Sequence, residues 1–419
     1  MIFKLFKYLK YNSYDFCIIN GCKDIVKEVD TTSDIDILFK QQDFNNIENI
    51  LNKFCLEENL KTVQILHHDL LAKNIFLFNS KDNTYLNLDL YGELSRKEKI
   101  FFKEEDIFTS LDTYENIPIL SAEKEFINYL IKKLNKDDLS EENFLHLRSL
   151  FLKSEIKCRD ALIELFPEKY NLLVEAFQNN SFKDIQKYRD EVILNFYKSI
   201  KQSKKRKVLN LFRTIKRILN PTGLTISFLG PDGAGKSTVI DTLIQTKLPF
   251  RRDDYFHLKP IITKRSSTDE MVTDPHKYPP YSQAKSYIKL IYFIYQYNFG
   301  WLKNISKLKI KSSLIIFDRY FDDMLVDNRR YRYGGSLTVA KVARYFIPKP
   351  DLYFILTTDA KVIYERKQEV PFEELERQIK GYRALADGKR YFNIDVNRTP
   401  EEIVKEITQI MMEKMNERY

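Results

Sequence analysis

At 419 residues the chain exceeds what one ordinary hydrophobic core serves, so two or three domains are expected. Its 43% hydrophobic and 30% charged residues describe a soluble globular protein and exclude a disordered or membrane-embedded chain. The net charge of +9 is moderate, and its distribution says more than its sum.

Cys17, Cys22, Cys55 and Cys158 form no C-x-x-C pair, so a reduced, cytoplasmic protein without a disulfide framework is expected. The five histidines show no metal-ligand spacing, and no zinc site is expected. Met1–Lys10 lacks an uninterrupted apolar core or cleavage site, which argues against a signal peptide. Leu290–Trp301 is shorter than the ~20 residues of a membrane span and reads as a buried amphipathic helix.

Along the chain, residues 1–118 alternate short apolar strands (Phe16–Ile19, Ile35–Phe39, Ile75–Phe78, Tyr85–Tyr91) with helical patterns such as Phe44–Phe54, an α+β domain. Residues 119–200 have helical periodicity and almost no strand signal. Residues 201–221 follow as a linker. No acid occurs between Glu191 and Asp232, and eight lysines and arginines fall between Lys201 and Arg217. Val208, Leu209, Phe212, Ile215 and Leu219 recur at helical spacing, making this a basic amphipathic helix. It reads first as a solvated connector, then as a peripheral contact with an anionic membrane face through residues 201–219. Nucleic-acid binding comes last, because no aromatic–basic interleaving accompanies the charge.

Residues 222–419 predict an α/β domain with a five-stranded parallel sheet: Thr225–Leu229, Tyr255–Leu258, Ser313–Phe317, Leu352–Thr357 and Tyr391–Asp395, separated by helical stretches. Gly230-Pro231-Asp232-Gly233-Ala234-Gly235-Lys236-Ser237 fits the phosphate loop G-x-x-x-x-G-K-[ST], between a strand and a helix opening at Thr238. Glycines let backbone N–H groups turn onto phosphates, and the helix N-terminus adds donors and a favourable dipole. Lys236 then reaches the β/γ-phosphates of ATP, and the Ser237 hydroxyl completes a Mg²⁺ shell. Asp318-Arg319-Tyr320 follows a buried strand at the carboxyl edge of the sheet, where α/β folds bind ligands. An acid there suits Mg²⁺ or a substrate hydroxyl, and the Arg a phosphate; a structural ion pair is the plainer alternative.

From Gly223 to Arg418 the sequence resembles the thymidylate kinase family of P-loop nucleoside monophosphate kinases. The resemblance rests on Phe228–Thr238 and on Asp318-Arg319-Tyr320. It implies an ATP-dependent kinase whose acceptor, a nucleoside monophosphate or other phosphorylated metabolite, already bears a phosphate. Asp232 and Asp318 would contact the acceptor or its Mg²⁺, Arg319 the acceptor phosphate, and Tyr320 would lie beside it. The phosphate loop carries no Arg at its variable positions, so the rate-enhancing arginine is expected from the lid, Arg366 or Arg377 with Lys367 as helper. These lid residues also fit ordinary solvated helix positions.

The match departs in two places. Leu229 stands where a Glu usually precedes the loop glycine, and the base-holding Ser and Ala-Tyr-Gln-Gly stretch gives way to Phe321–Gly335. Within that run Arg329, Arg330 and Arg332 could grip a second phosphate or an acidic sugar, or form a solvated loop. Asp274-Pro275-His276, the run Asp318–Gly335 and Arg366-Lys367-Gln368-Glu369 resemble a divergent thymidylate-kinase-like branch of bacterial surface-polysaccharide clusters. A homodimer, at the inner membrane face or free in the cytoplasm, is a further expectation.

In the N-terminal half, Gly21-Cys22, Asp34-Ile35-Asp36 and Asp89 resemble the polymerase-beta-type nucleotidyltransferases, with Cys22 where Ser is usual. Asp34 and Asp36 lie two apart on a strand, so both carboxylates share one side and, with Asp89, could hold Mg²⁺ about a nucleoside triphosphate. A solvated edge strand would show the same spacing. Metal-dependent nucleotidyl transfer with a regulatory P-loop, or an ATP-binding scaffold without turnover, are the alternatives to the kinase.

Overall fold

The computed structural model describes residues 1–19, 34–97, 99–200, 203–261 and 276–419. Gly21-Cys22, Asp274-Pro275 and Lys201 lie outside them. The chain divides into two compact units, Met1–Lys216 and Arg217–Tyr419.

In the first unit the strands are β1 (Phe16–Ile18), β2 (Ile35–Phe39), β3 (Lys61–Asp69), β4 (Ala72–Asn79), β5 (Thr84–Tyr91), β6 (Leu94–Arg96), β7 (Lys99–Phe102), β8 (Leu111–Tyr114) and β9 (Ile117–Leu120). Seven of them form a mixed sheet in the order β3-β4-β5-β2-β1-β9-β8, and β6 pairs with β7. The sheet is covered on both faces because its strands alternate between two cores. Ile35, Ile37 and Phe39 join the core built with the helices Ile2–Tyr11 and Ile47–Glu58. Leu38 and Cys17 join a second core supplied by the helices between Ala122 and Ser199. Period two therefore puts Asp34 and Asp36 on the side of these helices. The helical segment of residues 119–200 shares that core with the sheet.

The helix Lys204–Leu219 runs across the division between the units. It buries no residue, and its apolar side chains from Val208 to Leu219 are 43–72% exposed.

The second unit is a five-stranded sheet of β10 (Leu224–Leu229), β11 (Arg252–His257), β12 (Ser313–Asp318), β13 (Leu352–Thr357) and β14 (Tyr391–Asp395). Its order is β11-β12-β10-β13-β14, and every pairing is parallel. β10 and β13 are buried along their whole length, as expected of strands covered on both faces. The closing helix, Pro400–Asn416, starts with a capping box between Thr399 and Glu402 and with Pro at its first turn. Phe228 of β10 pairs with Asp318 of β12, so the loops leaving these neighbouring strands open side by side at the carboxyl edge.

Candidate active site

The loop after β10 turns on glycine. Gly230 has φ +143°, and a Cβ there would sit 2.4 Å from the Leu356 carbonyl oxygen, so no other residue fits without moving the backbone of β13. Gly235, at φ +77°, precedes the helix Lys236–Gln245. Ala234 is buried, whereas Ser237 and Thr238 are exposed at the first turn, beside backbone N–H groups without helical partners.

Lys236 is buried, and its Nζ donates to the carbonyls of Gly230 at 2.9 Å and Pro231 at 2.8 Å. Burial and then Arg319 push its ammonium down to about 8, against the opposing pull of Asp232 and Asp318. Asp318 accepts from the Tyr255 hydroxyl at 3.0 Å and lies 3.8 Å from His257 Nδ1. Burial alone would raise its carboxyl, but His257, Lys236 and Arg319 bring it down to about 2. Its Oδ1 is buried without a hydrogen-bond partner among the described residues.

Arg319 is buried and bridges two acids. One nitrogen donates to Asp323 Oδ2 at 2.6 Å, and another to Asp232 Oδ1. Arg330 donates to the other oxygen of Asp232, and Lys236 Nζ is 3.9 Å from that carboxylate. Burial opposes ionisation of Asp232, yet Arg319, Lys236 and Arg330 together hold it far below the usual carboxylate range. Glu369, from the segment after the helix Ala360–Arg366, is raised by burial first and then by its neighbour Asp232, against the pull of Lys367. Lys367 pairs with Glu369 at 2.5 Å.

The structure thus brings Asp232, Lys236, Asp318, Arg319 and Arg330 together around one loop. Other expected residues have different partners. Tyr320 is in the core, its hydroxyl donating to the Pro348 carbonyl at 2.5 Å. Arg332 donates to the Pro279 carbonyl and covers the Tyr281 ring at 4.1 Å, whereas Arg329 is exposed. Arg366 reaches the Val396 carbonyl at 3.3 Å. Arg377, on the helix Phe372–Arg383, is taken up by Glu374 and the Val326 carbonyl.

Sequence reasoning missed the roles of Asp322 and Asp323, consecutive acids inside the apolar helix Phe321–Val326. Both are buried; Asp322 pairs with Arg344 at 2.6 Å and accepts from Tyr391. Two acids among Phe321, Met324, Leu325 and Val326 were the available signal, because a buried carboxylate requires partners.

His276, Asp327 and Glu374 lie with their ligand atoms within 4.8 Å of one another, a grouping that sequence spacing did not suggest. Glu374 already accepts two hydrogen bonds from Arg377 and one from Gln378, so a guanidinium supplies the positive charge there.

In the first unit, Asp36 and Asp89 are register partners on β2 and β5. Lys132 Nζ donates to Asp36 at 2.9 Å, and Tyr91 donates at 3.2 Å. Asp89 accepts from Asn74 at 2.7 Å, and Asp34 accepts from Asn87. Burial first and Asp36 second push Asp89 up to about 6, and Asp34 is raised for the same two reasons.

No protein-family model matches the chain. A probable thymidylate kinase of Methanosarcina barkeri is 26% identical over 211 residues, 46% of this chain and 97% of that protein. The thymidylate kinase of Malacoplasma penetrans is 26% identical over 219 residues, again 46% and 97%. Among solved structures, a thymidylate kinase from Candida albicans has 17% identity and a TM-score of 0.34, covering 46% of this chain and 93% of that one. That of Ehrlichia chaffeensis has 16% identity and a TM-score of 0.31, covering 45% and 98%. About 46% of the chain is therefore homologous to thymidylate kinases, which supports a phosphotransferase of the nucleoside monophosphate kinase type.

Proposed function

We propose that the second unit transfers the γ-phosphoryl group of ATP to an acceptor that already carries a phosphate, a nucleoside monophosphate or another phosphorylated metabolite. The observation that carries this reading is the convergence of Arg319, Arg330 and Lys236 on Asp232, next to Asp318 on the neighbouring strand. Backbone N–H groups of Gly233 to Thr238 bind the donor phosphates, and Lys236 shares their charge. Arg319 and Arg330 present planar donor forks to the acceptor phosphate. The orphaned Asp318 Oδ1 and the exposed Ser237 hydroxyl are oxygen donors of the kind Mg²⁺ takes. When bound, Mg²⁺ neutralises phosphate charge. The base-holding stretch of thymidylate kinases is absent after Tyr320, so the acceptor need not carry thymine.

The test is turnover of Mg-ATP against a panel of nucleoside and sugar monophosphates. Lys236→Ala should abolish transfer, and unchanged transfer in that variant sinks the assignment.

A second reading, nucleotidyl transfer by the first unit, draws support from Asp34, Asp36 and Asp89 on one side of adjacent strands. Pyrophosphate release that survives Lys236→Ala and disappears in Asp36→Ala would favour it. The exposed apolar face of Lys204–Leu219, flanked by lysines, supports contact with an anionic bilayer. Flotation with phosphatidylserine vesicles, lost in Phe212→Asp, tests that contact.

A further inference from the structure

We propose that Asp323 is a positioning residue that fixes Arg319 for the acceptor phosphate and ties it to the helix Phe372–Arg383. The inference rests on the phosphotransferase reading and adds the group that sets its acceptor affinity.

Arg319 sits between unlike acids. The Asp232 side chain is 20% exposed and faces Lys236 and Arg330, whereas that of Asp323 is fully buried. An incoming phosphate can exchange with the carboxylate on the Asp232 side, while the 2.6 Å bond to Asp323 stays in place. Asp323 is itself held from two other directions. Tyr331 donates to Oδ2 at 2.7 Å, and Tyr382 donates to Oδ1. Three donors, one of them a guanidinium, satisfy a carboxylate that solvent does not reach.

Tyr382 belongs to the helix Phe372–Arg383, which follows the segment carrying Glu369. This helix is keyed onto the Phe321–Val326 helix at two more points. A Cβ on Gly381 would lie 2.9 Å from Val326 Cγ1, and Arg377 donates to the Val326 carbonyl at 3.0 Å. The position of this helix and the direction of the Arg319 guanidinium are therefore read by one buried carboxylate.

The experiment titrates inorganic phosphate into the ADP-loaded full chain and measures both dissociation constants in wild type, Arg319→Ala, Asp323→Asn and Tyr382→Phe. Arg319→Ala tests the underlying reading: if phosphate affinity does not change, Arg319 is not the phosphate arginine, and both reading and proposal fall. If it weakens, Asp323→Asn should weaken phosphate about tenfold with ADP affinity within about twofold, the size of a lost charge-assisted hydrogen bond. Tyr382→Phe keeps the Arg319–Asp323 pair and removes only the tether, so it should weaken phosphate about threefold. Because the two act through one carboxylate, their double variant should fall short of the product of the single effects. Unchanged phosphate affinity in both, or equal loss of phosphate and ADP, overturns the proposal. Should Asp323→Asn fail to fold, Tyr382→Phe alone decides.

Discussion

The backbone N–H of Arg319 donates to the Phe228 carbonyl at 2.9 Å, joining the corner after β12 to the strand that feeds the phosphate loop. Arg319 takes φ +69° there, a left-handed conformation uncommon outside glycine. Such a residue persists only where its surroundings over-determine it, and here Asp232 and Asp323 grip its side chain from two sides. The donor loop and the arginine beside it are thus one rigid unit.

That rigidity makes Gly230 irreplaceable. Gly230→Ala would place a methyl 2.4 Å from the Leu356 carbonyl at φ +143°, so β13 or the loop must shift. A loss of about 2 kcal/mol or more in urea unfolding is expected, together with loss of ATP binding. Unchanged stability would show that the loop has another conformation available.

Lys236 predicts a proton signature. Burial and Arg319 lower its ammonium to about 8, so in the free protein it is largely neutral at pH 8.5. Donor phosphates favour the charged form, and binding of ATP at pH 8.5 should therefore take up a proton, with affinity falling as pH rises beyond 8. Calorimetry in two buffers of different ionisation heat measures the uptake, which Lys236→Met should remove. Equal heats after buffer correction would mean that the lysine is already charged.

How much of this was legible depended on the range of the interaction. Ser313–Phe317 and Leu352–Thr357 were readable because buried parallel strands are continuous apolar runs, and the phosphate loop because its glycines are local. Lys61–Asp69 was not read as a strand, since buried Gln64 and the histidine pair interrupt its pattern. Nothing local marks Asp323 as the anchor of Arg319, because Tyr382 comes from 59 residues away. The i,i+3 pair Glu374–Arg377 was open to spacing, but the reach of Arg377 to the Val326 carbonyl was not, nor was the meeting of Arg330 with Asp232 across 98 residues.

The buried pair Asp322–Arg344 should behave as a pair. Arg344→Met leaves Asp322 with the Tyr391 hydroxyl but without its paired cation in a site 1% exposed, and a loss of about 3 kcal/mol is expected. Asp322→Asn in the same chain should restore a large part of it, because the uncompensated charge is gone. Chemical denaturation of the two single variants and the double variant gives the coupling; simple additivity would refute it.

Asp89 sets a pH dependence for the first unit. Its carboxyl is raised from the ordinary range to about 6, so the folded state binds a proton more readily than the unfolded chain. The sign follows: relative stability is full below about pH 4 and is lost as pH rises through 6. Asp89→Asn accepts the Asn74 hydrogen bond without the charge beside Asp36, so it should raise the melting temperature by a few °C at pH 7.5 and by less at pH 5. A cation at the three acids would act on the wild type in the same direction. Millimolar Mg²⁺ should therefore raise the wild-type melting temperature at pH 7.5 and leave Asp89→Asn almost unmoved. Equal Mg²⁺ responses in both proteins would separate Asp89 from any metal the unit binds.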